Sequence, residues 1–236
     1  MLRNSLFLFF FFFGIIFISI IFLPSLFLPQ KITLFGGKLM GYWSKICLRI
    51  FLSTEIIIKG REKIINDKKY FIACSHQSMF ETFFLQTIFN SPVFILKKEL
   101  TKIPIFGWYL LKIGSISIDR NKVKKENLDF LSNVKLVVNS SNRPLVIFPQ
   151  ATRMNFNDRS PFKKGVSRIY DELKIICLPI AINSGTVWPK TGKLVSNRKI
   201  IVSILDPIMP GKDQKVFLDF LQEKIYNELD NISKPS

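Results

Sequence analysis

Residues 53–236 predict an α/β domain, a mixed, largely parallel sheet flanked by helices, and residues 1–52 predict an N-terminal membrane-anchoring helix with an interfacial segment. Two observations carry this. After about residue 55, short β-branched or aromatic runs alternate with helical patterns, the signature of strands joined by crossover helices. Ahead of them lies an apolar stretch long enough to meet a bilayer. The 236 residues are 48% hydrophobic and 22% charged, enough for one buried core and too polar for a multi-span membrane protein.

The apolar stretch comes first. From Leu6 to Leu23 the chain reads LFLFFFFFGIIFISIIFL, interrupted only by Gly14 and Ser19. It exceeds the apolar core of a signal peptide, and no A-x-A-like cleavage site follows. It also has no polar face to turn outward from a soluble core. Arg3 precedes it, while Lys31, Lys38, Lys45 and Arg49 follow. The positive-inside bias then puts the main domain on the cytoplasmic side of the inner (cytoplasmic) membrane. Pro24 and Pro29 follow the run and can end its helix, so that residues 30–52 fold back as a separate amphipathic piece. Leu34, Phe35, Leu39, Trp43, Ile46, Leu48, Ile50 and Phe51 lie there among basic residues, a composition suited to the bilayer interface. The anchor either spans the bilayer or dips into one leaflet.

In the body, strands are predicted at 56–58, 70–74, 93–96, 115–118, 145–148, 175–181 and 200–205. Helical patterns occupy 79–89, 105–112, 124–139 and 164–173. A final amphipathic helix covers 213–229, with Val216, Phe217, Phe220, Leu221, Ile225 and Leu229 on or near one face.

Charge and rare residues narrow the chemistry. The formal net charge is +17 and the pI is near 9.9, which favours anionic partners. Part of this excess reflects a chain rich in Lys, Ile, Asn and Phe. Cys47, Cys74 and Cys177 form no C-x-x-C pair and fit a reduced compartment without disulfides or zinc. His76 is the only histidine, which excludes mechanisms and metal sites that need two. There is no arginine-rich arm or nucleic-acid motif, so no nucleic-acid partner is expected. No G-x-x-x-x-G-K-[ST] string occurs, so nucleotide hydrolysis lacks its phosphate cradle.

His76 falls where a buried strand runs into a helix, and Glu81 lies five residues on. Five residues on an ideal helix turn about 500°, so two fully helical side chains at this spacing would not meet. The pair works if His76 precedes the helix and Glu81 sits in its first turn. The carboxylate then fixes one imidazole nitrogen and leaves the other free as a base. Ser78-x-x-Glu81 is also a capping box, in which Glu81 serves the helix terminus alone. Ser75 and Ser78 flank the histidine, which raises an acyl-serine route. Alternation along a strand turns Ser75 to the opposite face, and the context is not G-x-S-x-G.

Four blocks in order resemble the 1-acylglycerol-3-phosphate acyltransferase family over roughly residues 55–190. His76-Gln-Ser-Met-Phe-Glu81 is similar to its H-x-x-x-x-D motif, and Gly114 through Asp119-Arg120 to its Gly-rich stretch ending in I-D-R. Phe148-Pro-Gln-Ala-Thr-Arg153 resembles F-P-E-G-T-R, and Leu178-Pro-Ile-Ala a V-P-V-A-type strand. Glu81 stands where the family has Asp, and Gln150-Ala151 where it has Glu-Gly.

The resemblance implies a glycerolipid acyltransferase-like fold with no metal and no cofactor. It also implies transfer of an acyl chain from acyl-CoA or acyl carrier protein to lysophosphatidic acid, giving phosphatidic acid. His76 would be the general base, oriented by Glu81. Arg120 and Arg153 occupy the blocks associated with phosphate binding. Lys97, Lys98 and Lys164 are further phosphate candidates, and Gln150, Ala151 and Thr152 would contact substrate. The changed third block keeps other acceptors open, glycerol-3-phosphate or a lyso-ornithine lipid. Outside enzymes, the alternative is a basic, membrane-tethered binding module.

Overall fold

The computed structural model describes residues 2–118 and 125–233. It contains β1 (Glu55–Lys59), β2 (Tyr70–Cys74), β3 (Val93–Lys97), β4 (Ile116–Ile118), β5 (Leu145–Ile147), β6 (Ile176–Ile182) and β7 (Lys199–Ile204). The helices are α1 (Leu2–Ile21), α2 (Gln30–Leu52), α3 (Phe80–Ile88), α4 (Phe106–Lys112), α5 (Lys125–Ser140), α6 (Gly165–Leu173) and α7 (Gln214–Ser233). The strands form a mixed, mostly parallel sheet in the order β1-β7-β6-β2-β5-β3-β4, flanked by helices. β1–β7, β2–β6 and β3–β4 pair in parallel, and β6–β7 is antiparallel. All seven predicted strands are present; β2, β5 and β6, buried throughout, read as continuous apolar runs because both their faces are covered.

The chain divides into two compact units, one of Met1–Cys47 with Thr82–Leu145 and one of Leu48–Glu81 with Val146–Ser236. In the first, α1 is long and apolar enough to cross a membrane by length and composition. Its apolar side chains stand largely exposed, Phe9 by 62% and Ile20 by 63%, so protein packing does not account for them. Pro24 sits in a 3-10 turn, Leu23–Phe27, and α2 then begins after Pro29. Gly14 allows α1 to touch α2, because a Cβ there would overlap the Trp43 indole. Trp43 Nε1 donates to Phe10 O across the same contact, at 3.1 Å.

In the second unit the core is the fully buried β2 and β6, backed by α6 and α7. Tyr170 stacks on Phe217 at 3.7 Å, and Phe71 meets both rings edge-on. Along α7 the buried stripe is Phe217, Leu221, Ile225, Tyr226, Leu229 and Ile232. Val216 and Phe220, expected near that face, are 56% and 40% exposed. The stripe is therefore the narrower i, i+4 row, continued through the end of the helix.

Candidate active site

All close contacts of the site lie in the second unit. β2 ends at Cys74, and Ser75 prolongs its pairing by donating its N–H to Ile180 O at 3.0 Å. The Ser75 hydroxyl is fully buried; it donates to Ile182 O and accepts from Ile182 N–H, which occupies it in holding β2 to β6. His76 then leaves the strand, and its backbone is fastened on both sides. Its N–H donates to Gln150 Oε1 at 2.8 Å, and its carbonyl accepts from Met154 N–H at 2.8 Å. Its ring lies flat on Phe148, with centroids 4.0 Å apart and planes 17° from parallel. The imidazole can neither twist nor withdraw far, and 15% of it faces solvent.

Glu81 stands in the first turn of α3, with His76 ahead of the helix, as the pairing requires. Its side chain is fully buried. Removing a carboxylate from water costs several kcal/mol unless donors replace the lost hydration. Here Oε1 accepts from Gln77 N–H at 3.2 Å and Ser78 N–H at 3.1 Å, and Oε2 from Ser78 N–H at 3.0 Å. The Ser184 hydroxyl donates a further hydrogen bond to Oε1. Ser78 Oγ in turn accepts from Phe80 N–H at 3.2 Å, completing the capping arrangement. Capping and orientation are thus one structure: the bonds that cap α3 hold the carboxylate still.

His76 Nδ1 faces Glu81 Oε2 at 3.5 Å, and Nδ1 is buried without a hydrogen-bond partner among the described residues. The gap is more than about half an ångström beyond a charge-assisted hydrogen bond. Catalytic pairs commonly tighten when substrate binds. Neighbouring Cys74 is inert by the same chemistry. Burial pushes its thiol well above the ordinary range, and the nearby Glu81 charge adds to the rise.

The third block turns sharply beneath the histidine. Ala151 N–H donates to Phe148 O at 2.9 Å, and Ala151 adopts φ +62°. That left-handed conformation suits the glycine found there in the family pattern, and alanine holds it under strain. Gln150 is 3% exposed, and its side chain bridges the His76 amide and the Tyr226 hydroxyl. Thr152 is exposed. Arg153 is half-exposed, and among the described residues its guanidinium meets no protein acceptor. Lys163 N–H donates to Pro149 O at 2.9 Å, which fixes the start of α6 beside this block. Lys164, exposed at the α6 N-terminus, is thereby brought near it.

Lys97 ends β3 and Lys98 opens a 3-10 turn, Lys98–Lys102; both are exposed and belong to the first unit. Arg120 lies outside the described residues. Sequence reasoning missed the parts played by Ser184, Phe148, Met154 and Gln77. Gln77 Oε1 accepts from Gly185 N–H at 3.0 Å and holds the Ser184 segment against the site. The available signal was that Phe148 and Ser184-Gly185 lie in or just after the recurring blocks.

The family described as Acyltransferase matches residues 55–183, which include His76, Glu81, the third block and β6. The chain is 30% identical over 208 residues to 1-acyl-sn-glycerol-3-phosphate acyltransferase of Saccharomyces cerevisiae, covering 84% of this chain and 67% of that protein. It is 33% identical over 144 residues to the protein of that name in Pseudomonas aeruginosa, covering 61% and 55% respectively. The crystal structure of the 1-acyl-sn-glycerophosphate (LPA) acyltransferase PlsC from Thermotoga maritima has the same fold. The match has a TM-score of 0.79 over 99% of each chain, at 20% identity. With a family match over more than half its length, the chain belongs to the acyltransferase family.

Proposed function

We propose that this protein transfers an acyl chain from a thioester of coenzyme A or acyl carrier protein to the sn-2 hydroxyl of 1-acylglycerol-3-phosphate, forming phosphatidic acid for phospholipid synthesis. The observation that carries the reading is the single imidazole with Nδ1 turned to a buried, fully bonded carboxylate and its other nitrogen without a hydrogen-bond partner among the described residues. Nε2 takes the hydroxyl proton as the oxygen attacks the thioester carbonyl. The new C–O bond forms, the C–S bond breaks, and the departing thiolate receives the proton from the imidazolium. Glu81 stabilises that cation. Ser75 and Ser78 are engaged in backbone bonds, which favours direct transfer over an acyl-serine intermediate.

Arg153 binds the acceptor phosphate in this reading, with Arg120, Lys97, Lys98 and Lys164 contributing positive charge. Gln150 and Ala151 shape the loop beneath the reacting hydroxyl, and Thr152 contacts the acceptor. The anchor, residues 1–52, holds the enzyme on the inner membrane with residues 53–236 on the cytoplasmic side, where acyl-CoA and acyl carrier protein are found. One observation favours a second acceptor: Gln150 replaces the acid of the third block and spends its side chain on the His76 amide. Glycerol-3-phosphate and lyso-ornithine lipid therefore belong in the same assay.

The test is release of free thiol from each donor across that panel, with products identified by mass spectrometry. His76→Ala is expected to lower turnover by about 10²–10⁴-fold or more while lysolipid binding survives. Turnover near the unmodified rate would end the general-base reading, and preference for another acceptor would move the function to that lipid.

A further inference from the structure

The first unit carries an exposed apolar surface between Leu100 and Leu111. Between Lys98 and Lys112, Leu100, Ile103, Ile105, Phe106, Trp108 and Leu111 are all exposed, from 37% to 58%. So many large apolar side chains side by side on one short segment mark a surface that water is not meant to cover. Lys97, Lys98, Lys102 and Lys112 edge the patch, against one acid, Glu99. An exposed tryptophan among apolar side chains, with long lysines at the margin, is the composition of a bilayer interface.

The segment is built to hold these groups outward. Ile105 adopts φ +64° and ψ −58°, and Phe106 N–H donates to Pro104 O at 2.6 Å. This is a γ-turn of the rare, strained kind, with a β-branched residue at its centre. A Cβ on Gly107 would meet Thr101 O at 2.1 Å, so the turn Lys98–Lys102 and α4 are pressed into one rigid piece. That piece is fixed to the apolar helix. Tyr109 Oη donates to Ser19 O, near the end of α1, at 2.6 Å, and Gln30 Nε2, at the start of α2, donates to Lys112 O at 3.0 Å.

We infer that residues 98–112 form a second membrane contact, docking on an anionic lipid surface where α1 meets the headgroups. Continuity with α1 and the basic rim single out a lipid surface as the occupant. The inference rests on α1 lying in the membrane, and the test separates the two.

Cys47, Cys74 and Cys177 are buried, so an introduced surface cysteine takes a fluorophore selectively. Full-length Leu111→Cys and, separately, Ile16→Cys would be labelled and reconstituted in vesicles of phosphatidylcholine with phosphatidylglycerol. Quenching by nitroxide lipids is compared with quenching by aqueous iodide. Both labels are expected to be quenched chiefly by the lipid nitroxides. In Lys102→Gln/Lys112→Gln, the label at 111 is expected to lose the blue shift that phosphatidylglycerol adds over phosphatidylcholine alone. Iodide quenching at 111 with lipid quenching at 16 overturns the second contact and leaves the anchor standing. Iodide quenching at both overturns both. An unchanged blue shift in the double variant overturns the role of the basic rim.

Discussion

Glu81 and Arg153 both serve the proposed reaction, yet they are held in opposite ways. Glu81 is fully buried and accepts from two backbone amides and a hydroxyl. Arg153 is half-exposed and meets no protein acceptor among the described residues. A group that must stabilise a proton transfer gains from being ordered before substrate arrives. A group that must grip an incoming phosphate gains from keeping its donors free. In the proposed reaction, the separation between fixed and free charge, more than the identity of either residue, would divide chemistry from recognition.

The largest expected effect comes from breaking the fixed half. Glu81→Gln places amide hydrogens against the N–H of Ser78 and the Ser184 hydroxyl and removes the charge that supports the imidazolium. Its kcat is expected to fall about 10²-fold or more, and Glu81→Asp to recover part of it. Equal loss in both variants, measured by thiol release on folded protein, would reduce Glu81 to a helix cap.

Next is the free half. Arg153→Ala is expected to raise KM for phosphorylated acceptors about tenfold or more, the worth of a charge-assisted hydrogen bond, and to leave neutral acceptors unchanged. Its stability in urea should stay within about 0.5 kcal/mol of the parent, because the guanidinium meets no protein acceptor among the described residues. A large loss of stability would contradict the contrast.

Ser184→Ala sharpens the comparison from within the fixed half. One of the donors to Glu81 disappears, and kcat is expected to fall severalfold, to about a tenth, with KM held. A rise in KM alone would place Ser184 with recognition. Smallest is Ala151→Gly. Relief of the +62° backbone is expected to stabilise the fold by about 0.5–1 kcal/mol in urea unfolding, with little change in kcat.

Much of this fold was legible in advance, for a physical reason. Strands buried on both faces need unbroken apolar sequence, and Tyr70–Cys74 shows that pattern residue by residue. The order of His76, Ser78 and Glu81 likewise encodes a local event, entry into a helix, and the local event is what formed. What stayed hidden is non-local. Ser184 reaches Glu81 across 103 residues of chain, and Met154 closes on His76 through backbone atoms that every residue shares. Gln150 was expected to face substrate. Its amide accepts the His76 N–H instead, and nothing in a lone sequence distinguishes an inward from an outward side chain at a turn. The γ-turn at Ile105 was equally silent, since isoleucine ordinarily argues for a strand.

The double fastening of the His76 main chain has a consequence for re-engineering this enzyme. Because one loop supplies the partners of both the His76 N–H and its carbonyl, and Phe148 supplies the floor under the ring, the loop and the imidazole move as a single body. Grafting the corresponding loop from a relative with another acceptor would re-aim the imidazole along with the pocket. Such chimaeras should lose speed before they gain a new preference, unless the segment from Ser75 to Glu81 travels with the graft.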